Sequence, residues 1–369
     1  MDIGLKDFKP AFAERNIPVA MGADMNYLPF AGVTIGTVLE HNKTGNFDFI
    51  ILHENIDEKI QRDFVERHAS QDRVSIRFIR LGELVRNDVL SGYQTNNLFT
   101  IAVFFRLFLP DLLVAYNKVL YLDIDIVVKC DVAELFNQDV SGKLIAGVVD
   151  KGTANWAADC PEYRNKLGGA GFNEFDEYVN SGVLVMNLAG MRKKMPFTEW
   201  LKLGMDFRKF CPDQDALNLA CKGKKLLLDD NWNRLLHLCD EWQRAAEKEE
   251  NPPPAIYHFS AARKPWANPT VNFSRLWWNY ARKYAFQSTP EAFAEFEVLG
   301  KTIADLSSMF DARGVEINKL KREIYKLKHE TKKQAKEIAE LKSSFAYRTG
   351  MIVTWPLRLI ARAIRALHK

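Results

Sequence analysis

Hydrophobic and polar positions follow two different periods along the first part of the chain. Apolar runs of strand length lie at residues 17–22, 47–53 and 74–81. The stretches between and after these runs space their apolar residues as amphipathic helices do, at residues 30–41, 58–68 and 101–113. Strands and helices that take turns predict an α/β fold, with a mostly parallel sheet flanked by helices.

A strongly apolar segment at residues 118–128 contains two aspartates, Asp123 and Asp125. Ligands of α/β sheets bind beyond the carboxyl ends of the strands, which makes the two aspartates candidates for a ligand site. Residues 144–149, 181–188 and 226–228 are further strand candidates, and residues 255–278 are predicted to be the final segment of the catalytic part.

From Ile303 to Phe345, residues of one seam recur at alternating steps of three and four. The seam is apolar except at Arg313, Thr331 and Gln334, and Lys and Glu are frequent beside it. A heptad seam of this length favours a coiled coil, and with it a homo-oligomer, over a single solvated helix.

The end of the chain combines an apolar helical face with a basic one, and no acidic residue follows Glu340. The apolar residues are Leu357, Ile360, Ile364 and Leu367, and the basic ones are Arg358, Arg362, Arg365 and Lys369. The pattern is typical of a helix that lies in an anionic membrane surface. A helix packed on the rest of the protein is the alternative. No nucleic-acid-binding motif accompanies the basic residues, so nucleic acid is not an expected partner.

The composition permits a large globular core and shows no export signal. The 369 residues are 47% hydrophobic, with a formal net charge of +4. Charged residues interrupt the first sixteen positions, unlike a signal peptide, and no stretch reaches the about 18 to 20 apolar residues of a membrane span. The five cysteines have no CxxC or zinc-type spacing, which fits reduced thiols. We expect a cytoplasmic protein, attached peripherally to the inner face of the cytoplasmic membrane.

Asp123 and Asp125 stand two positions apart, so their carboxylates leave one face of a strand or meet where the chain bends. Two like charges so close repel each other unless a cation lies between them. A hard divalent ion, Mn²⁺ or Mg²⁺, binds such oxygens and bridges them to the oxygens of a nucleotide diphosphate. A solvated strand end is the plainer interpretation of the pair taken alone.

Four motifs, in this order, resemble those of glycosyltransferase family 8. They are VLYLDID at residues 119–125, NSGVLVMNL at residues 180–188, PDQD at residues 212–215, and His258 with KPW at residues 264–266. The resemblance covers roughly residues 17–278 and is to the bacterial branch that includes lipopolysaccharide glucosyl- and galactosyltransferases. It implies a GT-A fold, a UDP-sugar donor, Mn²⁺ and retention of the anomeric configuration. The predicted domains are thus a GT-A catalytic domain at residues 17–285, a coiled-coil stalk at 300–345 and a basic amphipathic, membrane-associating tail at 346–369.

The resemblance assigns the metal site and the group that meets the leaving diphosphate. It implies Asp123, Asp125 and His258 as metal ligands, and a neutral imidazole suits a carboxylate-rich site. Lys264 would neutralise the released UDP as a compact point charge.

The resemblance also implies residues that bind the sugar nucleotide. The nucleotide pocket would comprise Ala23, Asp24, Asn26 and Tyr27, with Tyr27 stacked on the base and Asp24 and Asn26 bonded to the uracil or ribose. An Asx turn is the alternative for this loop. Arg106 would reach the donor, since a buried arginine needs an anion, either a carboxylate or the sugar nucleotide.

Four more positions resemble those around the reacting sugar. Asn180, Asp213 and Gln214 would hold the transferred sugar and surround its anomeric carbon, and Asp150 would face the acceptor. No carboxylate is placed by the sequence as a nucleophile. The resemblance implies same-face displacement assisted by the leaving phosphate, with Gln214 nearby, rather than a covalent glycosyl-enzyme.

Two positions depart from the family pattern. Ala261 stands where the family usually has glycine, three residues after the metal-binding histidine, and Met25 stands where it often has a second aspartate. Neither departure removes a metal ligand.

The expected activity is transfer of glucose or galactose from a UDP-sugar to lipopolysaccharide core or another surface glycan. One alternative is a glycogenin-like or protein-directed transferase, whose acceptor is a polypeptide. Another is a non-catalytic coiled-coil scaffold with a degenerate transferase domain. Retention of Asp123, Asp125, His258 and Lys264 argues against the scaffold.

Overall fold

The structure is a computed structural model, and the chain divides by its internal contacts into two units, Met1–Gly300 and Lys301–Lys369. It describes residues 5–81, 101–172, 175–207, 209–236, 255–261, 264–267, 271, 273–285, 327, 330, 331 and 333. The predicted tail lies outside the described residues, and so does the predicted stalk apart from residues 327, 330, 331 and 333. There, the Thr331 hydroxyl donates a hydrogen bond of 2.8 Å to the Leu327 carbonyl, as in a helical turn.

The described residues form ten strands. They are β1 (Asn16–Gly22), β2 (Asn46–His53), β3 (Val74–Arg80), β4 (Val119–Leu122), β5 (Ile126–Val128), β6 (Ile145–Val149), β7 (Val179–Met186), β8 (Lys225–Leu228), β9 (Arg234–Leu235) and β10 (Ile256–His258). Seven of them make the main sheet, in the order β3, β2, β1, β4, β7, β6, β8, and the other three a small sheet in the order β5, β10, β9. In the main sheet β7 runs antiparallel to β4 and β6, and the remaining described pairs are parallel. The predicted α/β class and mostly parallel sheet are confirmed.

Ten α-helices and two 3₁₀ turns connect the described strands. The helices are α1 (Leu28–His41), α2 (Glu58–His68), α3 (Phe105–Leu112), α4 (Val132–Phe136), α5 (Lys151–Asp159), α6 (Pro161–Gly169), α7 (Leu188–Lys194), α8 (Phe197–Asp206), α9 (Pro212–Ala220) and α10 (Ser274–Tyr284). The 3₁₀ turns are Ile101–Phe104, directly before α3, and Asp230–Asn233, directly before β9. Within the described part of the chain, none of the helices has the length and apolar character needed to span a bilayer.

Two apolar layers cover the two faces of the main sheet. Alternate residues of the central strand β4 point to opposite layers, because side chains alternate along a strand. Tyr121 packs in the layer of Phe108 and Trp200, whereas Leu120 packs in the layer of Ile35. All eight residues of β7 are buried, as expected for a strand covered on both faces.

The chain bends between β4 and β5, at the two aspartates. The Asp123 amide donates a hydrogen bond of 2.7 Å to the Gly182 carbonyl, and the Phe259 amide donates one of 2.9 Å to the Asp125 carbonyl. Of the two arrangements predicted for the aspartates, one face of a strand or a bend in the chain, the structure shows the bend, which separates β4 from β5. Two ionised carboxylates inside a buried strand would lose their hydration, so the strand ends before them.

Several segments meet at one edge of the main sheet. Strands β1, β4 and β6 end at this edge, and β7 begins there because it runs the opposite way. The first turn of α9 lies beside the start of β7, since Gln214 Oε1 accepts a hydrogen bond of 3.0 Å from the Ser181 amide. The fold thus collects polar side chains from distant parts of the sequence at this edge.

Candidate active site

Asp123, Asp125 and His258 meet at the edge of the main sheet. Their ligand atoms all lie within 4.8 Å of one another. His258 Nε2 lies 3.2 Å from Asp125 Oδ1 and 3.8 Å from Asp123 Oδ2. The histidine reaches the aspartates because β10 pairs antiparallel with β5, which sets His258 opposite Ile126, the residue after Asp125.

The three side chains fit a divalent cation. Asp125 Oδ1 is buried and accepts no well-aligned hydrogen bond from the described residues, although His258 Nε2 is close to it. A buried carboxylate oxygen without a partner is costly unless a cation satisfies it. Two carboxylates and one imidazole are ligands that Mn²⁺ accepts, and Mg²⁺ accepts the carboxylates readily.

Lys264 brings a positive charge to the same place. Its ammonium contacts Asp125 Oδ2 and donates a hydrogen bond of 2.8 Å to the Phe259 carbonyl. Burial by itself raises the pKa of Asp125, but the charge of Lys264, together with that of His258 when its ring is protonated, outweighs that effect and holds the pKa well below its usual range. Asp125 is therefore ionised at neutral pH, the state in which it can bind a metal.

Arg106 lies between the carboxylates of Asp123 and Asp213. The buried guanidinium places Nη2 3.0 Å from Asp123 Oδ1 and Nε 3.0 Å from Asp213 Oδ2, and it lies 4.3 Å from the centre of the Tyr121 ring. Burial lowers the pKa of Arg106, but the two carboxylates outweigh it and the pKa is raised. The sequence left two possible anions for Arg106, a carboxylate or the sugar nucleotide. In the structure, Arg106 is paired with the carboxylates of Asp123 and Asp213.

Asp150, Asn180 and Gln214 form a buried hydrogen-bond network next to Arg106. The side-chain amides of Asn180 and Gln214 both donate to Asp150 Oδ2, at 3.1 Å each. Asn180 Nδ2 also lies 3.1 Å from Gln214 Oε1. Asp150 Oδ1 accepts from the Gly152 amide at 3.0 Å, which caps α5. The three residues predicted to face the donor sugar and the acceptor thus hold one another in place.

The predicted nucleotide pocket is a turn at the end of β1. Asp24 Oδ1 accepts hydrogen bonds of 2.9 Å from the Asn26 amide and 3.0 Å from the Tyr27 amide, as in the Asx turn given as the alternative. Ala23 is buried, whereas Tyr27 is 37% exposed, and the Tyr27 ring packs edge-on against Trp266 with 5.8 Å between ring centres. This turn therefore lies beside the segment that carries Lys264.

Residues 18–270, more than half of the chain, match Glycosyl transferase family 8. The chain belongs to glycosyltransferase family 8. It is 28% identical over 270 residues to the lipopolysaccharide 1,2-glucosyltransferase of Escherichia coli strain K12, covering 70% of this chain and 76% of that protein. As a member of the family, the protein is a glycosyltransferase.

Solved structures support a GT-A-like fold. The galactosyltransferase LgtC, in complex with donor and acceptor sugar analogs, has a TM-score of 0.57 at 20% identity, covering 76% of this chain and 99% of LgtC. The bifunctional glycosyltransferase WbbM has a TM-score of 0.60 at 24% identity, covering 75% of this chain. This chain spans 51% of WbbM. At identities of 20% and 24%, these comparisons show similarity of fold alone.

Two site residues were not predicted from the sequence. Ser181 lies within the family 8 motif NSG, and its hydroxyl donates a hydrogen bond of 2.9 Å to Asp213 Oδ2. Asn233 bonds His258 Nδ1 at 2.8 Å. Asn233 lies in the polar stretch after β8. Because ligand residues follow strand ends in this fold class, that stretch could have marked Asn233 as a candidate site residue.

The departure from the family 8 pattern at Ala261 has a backbone consequence. Ala261 has φ of +62°, in the left-handed region that favours glycine. We expect Ala261→Gly to raise the free energy of unfolding by about 1 kcal/mol, because glycine adopts this conformation without a Cβ clash. Urea unfolding measures the effect. Ala133→Gly, inside α4, is the control and should lower stability by about 1 kcal/mol. Destabilisation by both substitutions would contradict the prediction.

Proposed function

We propose that the protein transfers a hexose from UDP-glucose or UDP-galactose to a saccharide, with retention of the anomeric configuration and with a divalent ion. The observation that carries the proposal is the convergence of Asp123, Asp125 and His258, with Lys264 beside them. These three residues would hold Mn²⁺ or Mg²⁺. The bound ion would bind the donor diphosphate and stabilise the charge of the released UDP.

The residues around the metal site suit the rest of the donor. Among the described residues, Lys264 is the cation that we expect to contact the diphosphate, exchanging its contact with Asp125 for one with a phosphate oxygen. The exposed Tyr27 ring offers a surface for the uracil. Asn180, Asp213 and Gln214 are the proposed contacts of the transferred sugar, and Asp150 the proposed contact of the acceptor.

The hydrogen bonds of the two carboxylates support same-face displacement. Asp213 is paired with Arg106 and Ser181, and Asp150 is bonded by Asn180, Gln214 and the start of α5. Ion pairs and hydrogen bonds of this kind stabilise the charged form of a carboxylate and so reduce its nucleophilicity. We infer that the bond from the anomeric carbon to the UDP oxygen breaks while the acceptor oxygen bonds to that carbon on the same face. The proton of the acceptor hydroxyl passes to the departing phosphate.

Lipopolysaccharide core or a related surface glycan is the proposed acceptor. The 28% identity to an enzyme named lipopolysaccharide 1,2-glucosyltransferase supports it. A screen of UDP-sugars for UDP release, with Mn²⁺ and with or without lipid-extracted acceptors, tests the function. We expect release from UDP-glucose or UDP-galactose to rise with the acceptor. If Mn²⁺ produces no release from any donor, the scaffold alternative is favoured. A mass gain of hexose units on the protein itself, seen by mass spectrometry, favours the glycogenin-like alternative.

We also propose that the stalk forms a homo-oligomer and that the tail binds anionic membrane at the cytoplasmic face. The heptad seam supports the first, together with Leu327, a seam residue that is 61% exposed in the single chain. The basic and apolar faces of the tail support the second.

Deletion of residues 355–369 is expected to weaken binding to anionic liposomes at least about tenfold, since each basic residue at such a surface contributes about 1 kcal/mol. UDP-sugar hydrolysis should persist, because the deletion leaves the site intact. Co-sedimentation with anionic vesicles measures the loss, and neutral vesicles serve as the control. Equal binding by the intact and shortened proteins would exclude the tail as the anchor.

A further inference from the structure

Asn233 lies between His258 and Asn180, and so connects the proposed metal ligands to the hydrogen-bond network of Asp150, Asn180 and Gln214. It is 1% exposed and ends the 3₁₀ turn Asp230–Asn233. Its Oδ1 is 2.8 Å from His258 Nδ1, and its Nδ2 donates a hydrogen bond of 2.9 Å to Asn180 Oδ1. The pairing of β9 with β10, which sets Leu235 opposite His258, fixes this short distance.

The hydrogen bonds of the surrounding residues determine which way the Asn233 amide points. The Asp150 carboxylate only accepts, so the Asn180 group bonded to it is the donating Nδ2. Asn180 Oδ1 then accepts from the Gly182 amide at 2.9 Å and from Asn233 Nδ2. Asn233 consequently turns its oxygen toward His258. An amide oxygen cannot donate, so His258 Nδ1 carries the hydrogen of this bond.

We infer that Asn233 is a positioning residue that holds His258 in the Nδ1–H tautomer. In that tautomer Nε2 presents its lone pair to the space between Asp123 and Asp125, where a divalent ion would bind. Histidines that bind metals commonly donate their other N–H to an acceptor, and loss of the acceptor weakens metal binding about 10- to 100-fold. The inference rests on the proposed metal-dependent function, and it adds a residue that would act on the ion through His258.

Two substitutions distinguish the role of Asn233 Oδ1, which accepts from His258, from that of Asn233 Nδ2, which donates to Asn180. Asn233→Leu removes both at similar size, whereas Asn233→Asp keeps an acceptor for His258 and loses the donor to Asn180. We expect Asn233→Leu to weaken binding of Mn²⁺ alone about 10- to 100-fold, measured from the EPR signal of the free ion. Asn233→Asp should bind Mn²⁺ at least as well as the unaltered protein. Asn42→Leu, which removes another buried amide bonded to Val38 and Val132, should lower the Tm and leave Mn²⁺ affinity unchanged.

The tautomer can be observed directly in the metal-free protein. In ¹⁵N spectra of the histidine-labelled protein, at a pH where the ring is neutral, His258 should show Nδ1–H, and Asn233→Leu should move it toward Nε2–H. His258→Gln assigns the signal. Nε2–H in the unaltered protein, or equal Mn²⁺ affinity of Asn233→Leu, overturns the inference and leaves the proposed function standing. Absence of Mn²⁺ binding by the unaltered protein would instead overturn the proposed function.

Discussion

Asp125→Ala is expected to abolish metal-dependent turnover, lowering kcat/KM by about 1000-fold or more. The substitution removes one of the two carboxylates at the metal site and leaves Lys264 without its side-chain partner. The fold should persist, because the Asp125 backbone carbonyl still accepts the hydrogen bond from the Phe259 amide. UDP release with Mn²⁺ measures turnover, and calorimetric titration with UDP and Mn²⁺ measures donor binding.

Asp131→Ala is a matched control for this substitution. Asp131 lies a few residues further along the chain and caps α4 by accepting a hydrogen bond of 2.9 Å from the Ala133 amide. Its removal should cost about 1 kcal/mol of stability and leave Mn²⁺ affinity unchanged. Near-normal turnover by Asp125→Ala, with UDP binding that still depends on Mn²⁺, would show that the metal site lies elsewhere.

The local pattern of the sequence predicted β1, β2, β3, β6, β7 and β8 and the strand segment that carries Asp123 and Asp125, because strand and helix periods are properties of short segments. It did not single out β9 or β10. It could not predict that β7 runs antiparallel to its neighbours. A strand buried on both faces is a continuous apolar run whichever way it points. That direction is what brings Asn180 and Ser181 to the same edge as Asp123 and Asp150.

The metal site shows the same division between local and long-range information. Two like charges two positions apart suggested a cation from the sequence alone. His258 entered through the family resemblance, because its approach to Asp125 depends on the pairing of β10 with β5. Asn233 was missed for a similar reason, since its contact with His258 depends on the pairing of β9 with β10. Contacts set by strand pairing between distant segments leave no periodic pattern in the sequence.

Gly182→Ala is expected to weaken Mn²⁺ binding at least about 100-fold while the fold remains. A Cβ at this position of β7 would overlap His258 Cε1 and lie 2.5 Å from Asp123 Oδ2 and 3.1 Å from Asn180 Oδ1. The strand cannot easily move away, because the Gly182 amide donates to Asn180 Oδ1 and its carbonyl accepts from the Asp123 amide. The metal ligands must therefore separate, since one added methyl group occupies the space between them.

Gly147→Ala distinguishes this effect from crowding in the sheet. Gly147 lies on the neighbouring strand β6, where an added Cβ would be 2.9 Å from Leu184 Cδ2 and 3.3 Å from Val179 Cβ. This crowding should cost about 1 to 3 kcal/mol of stability and leave Mn²⁺ affinity within about twofold, because no metal ligand is displaced. EPR titration of Mn²⁺ and urea unfolding separate the two effects. Full Mn²⁺ affinity in Gly182→Ala would mean that His258 and Asp123 do not bind one ion together.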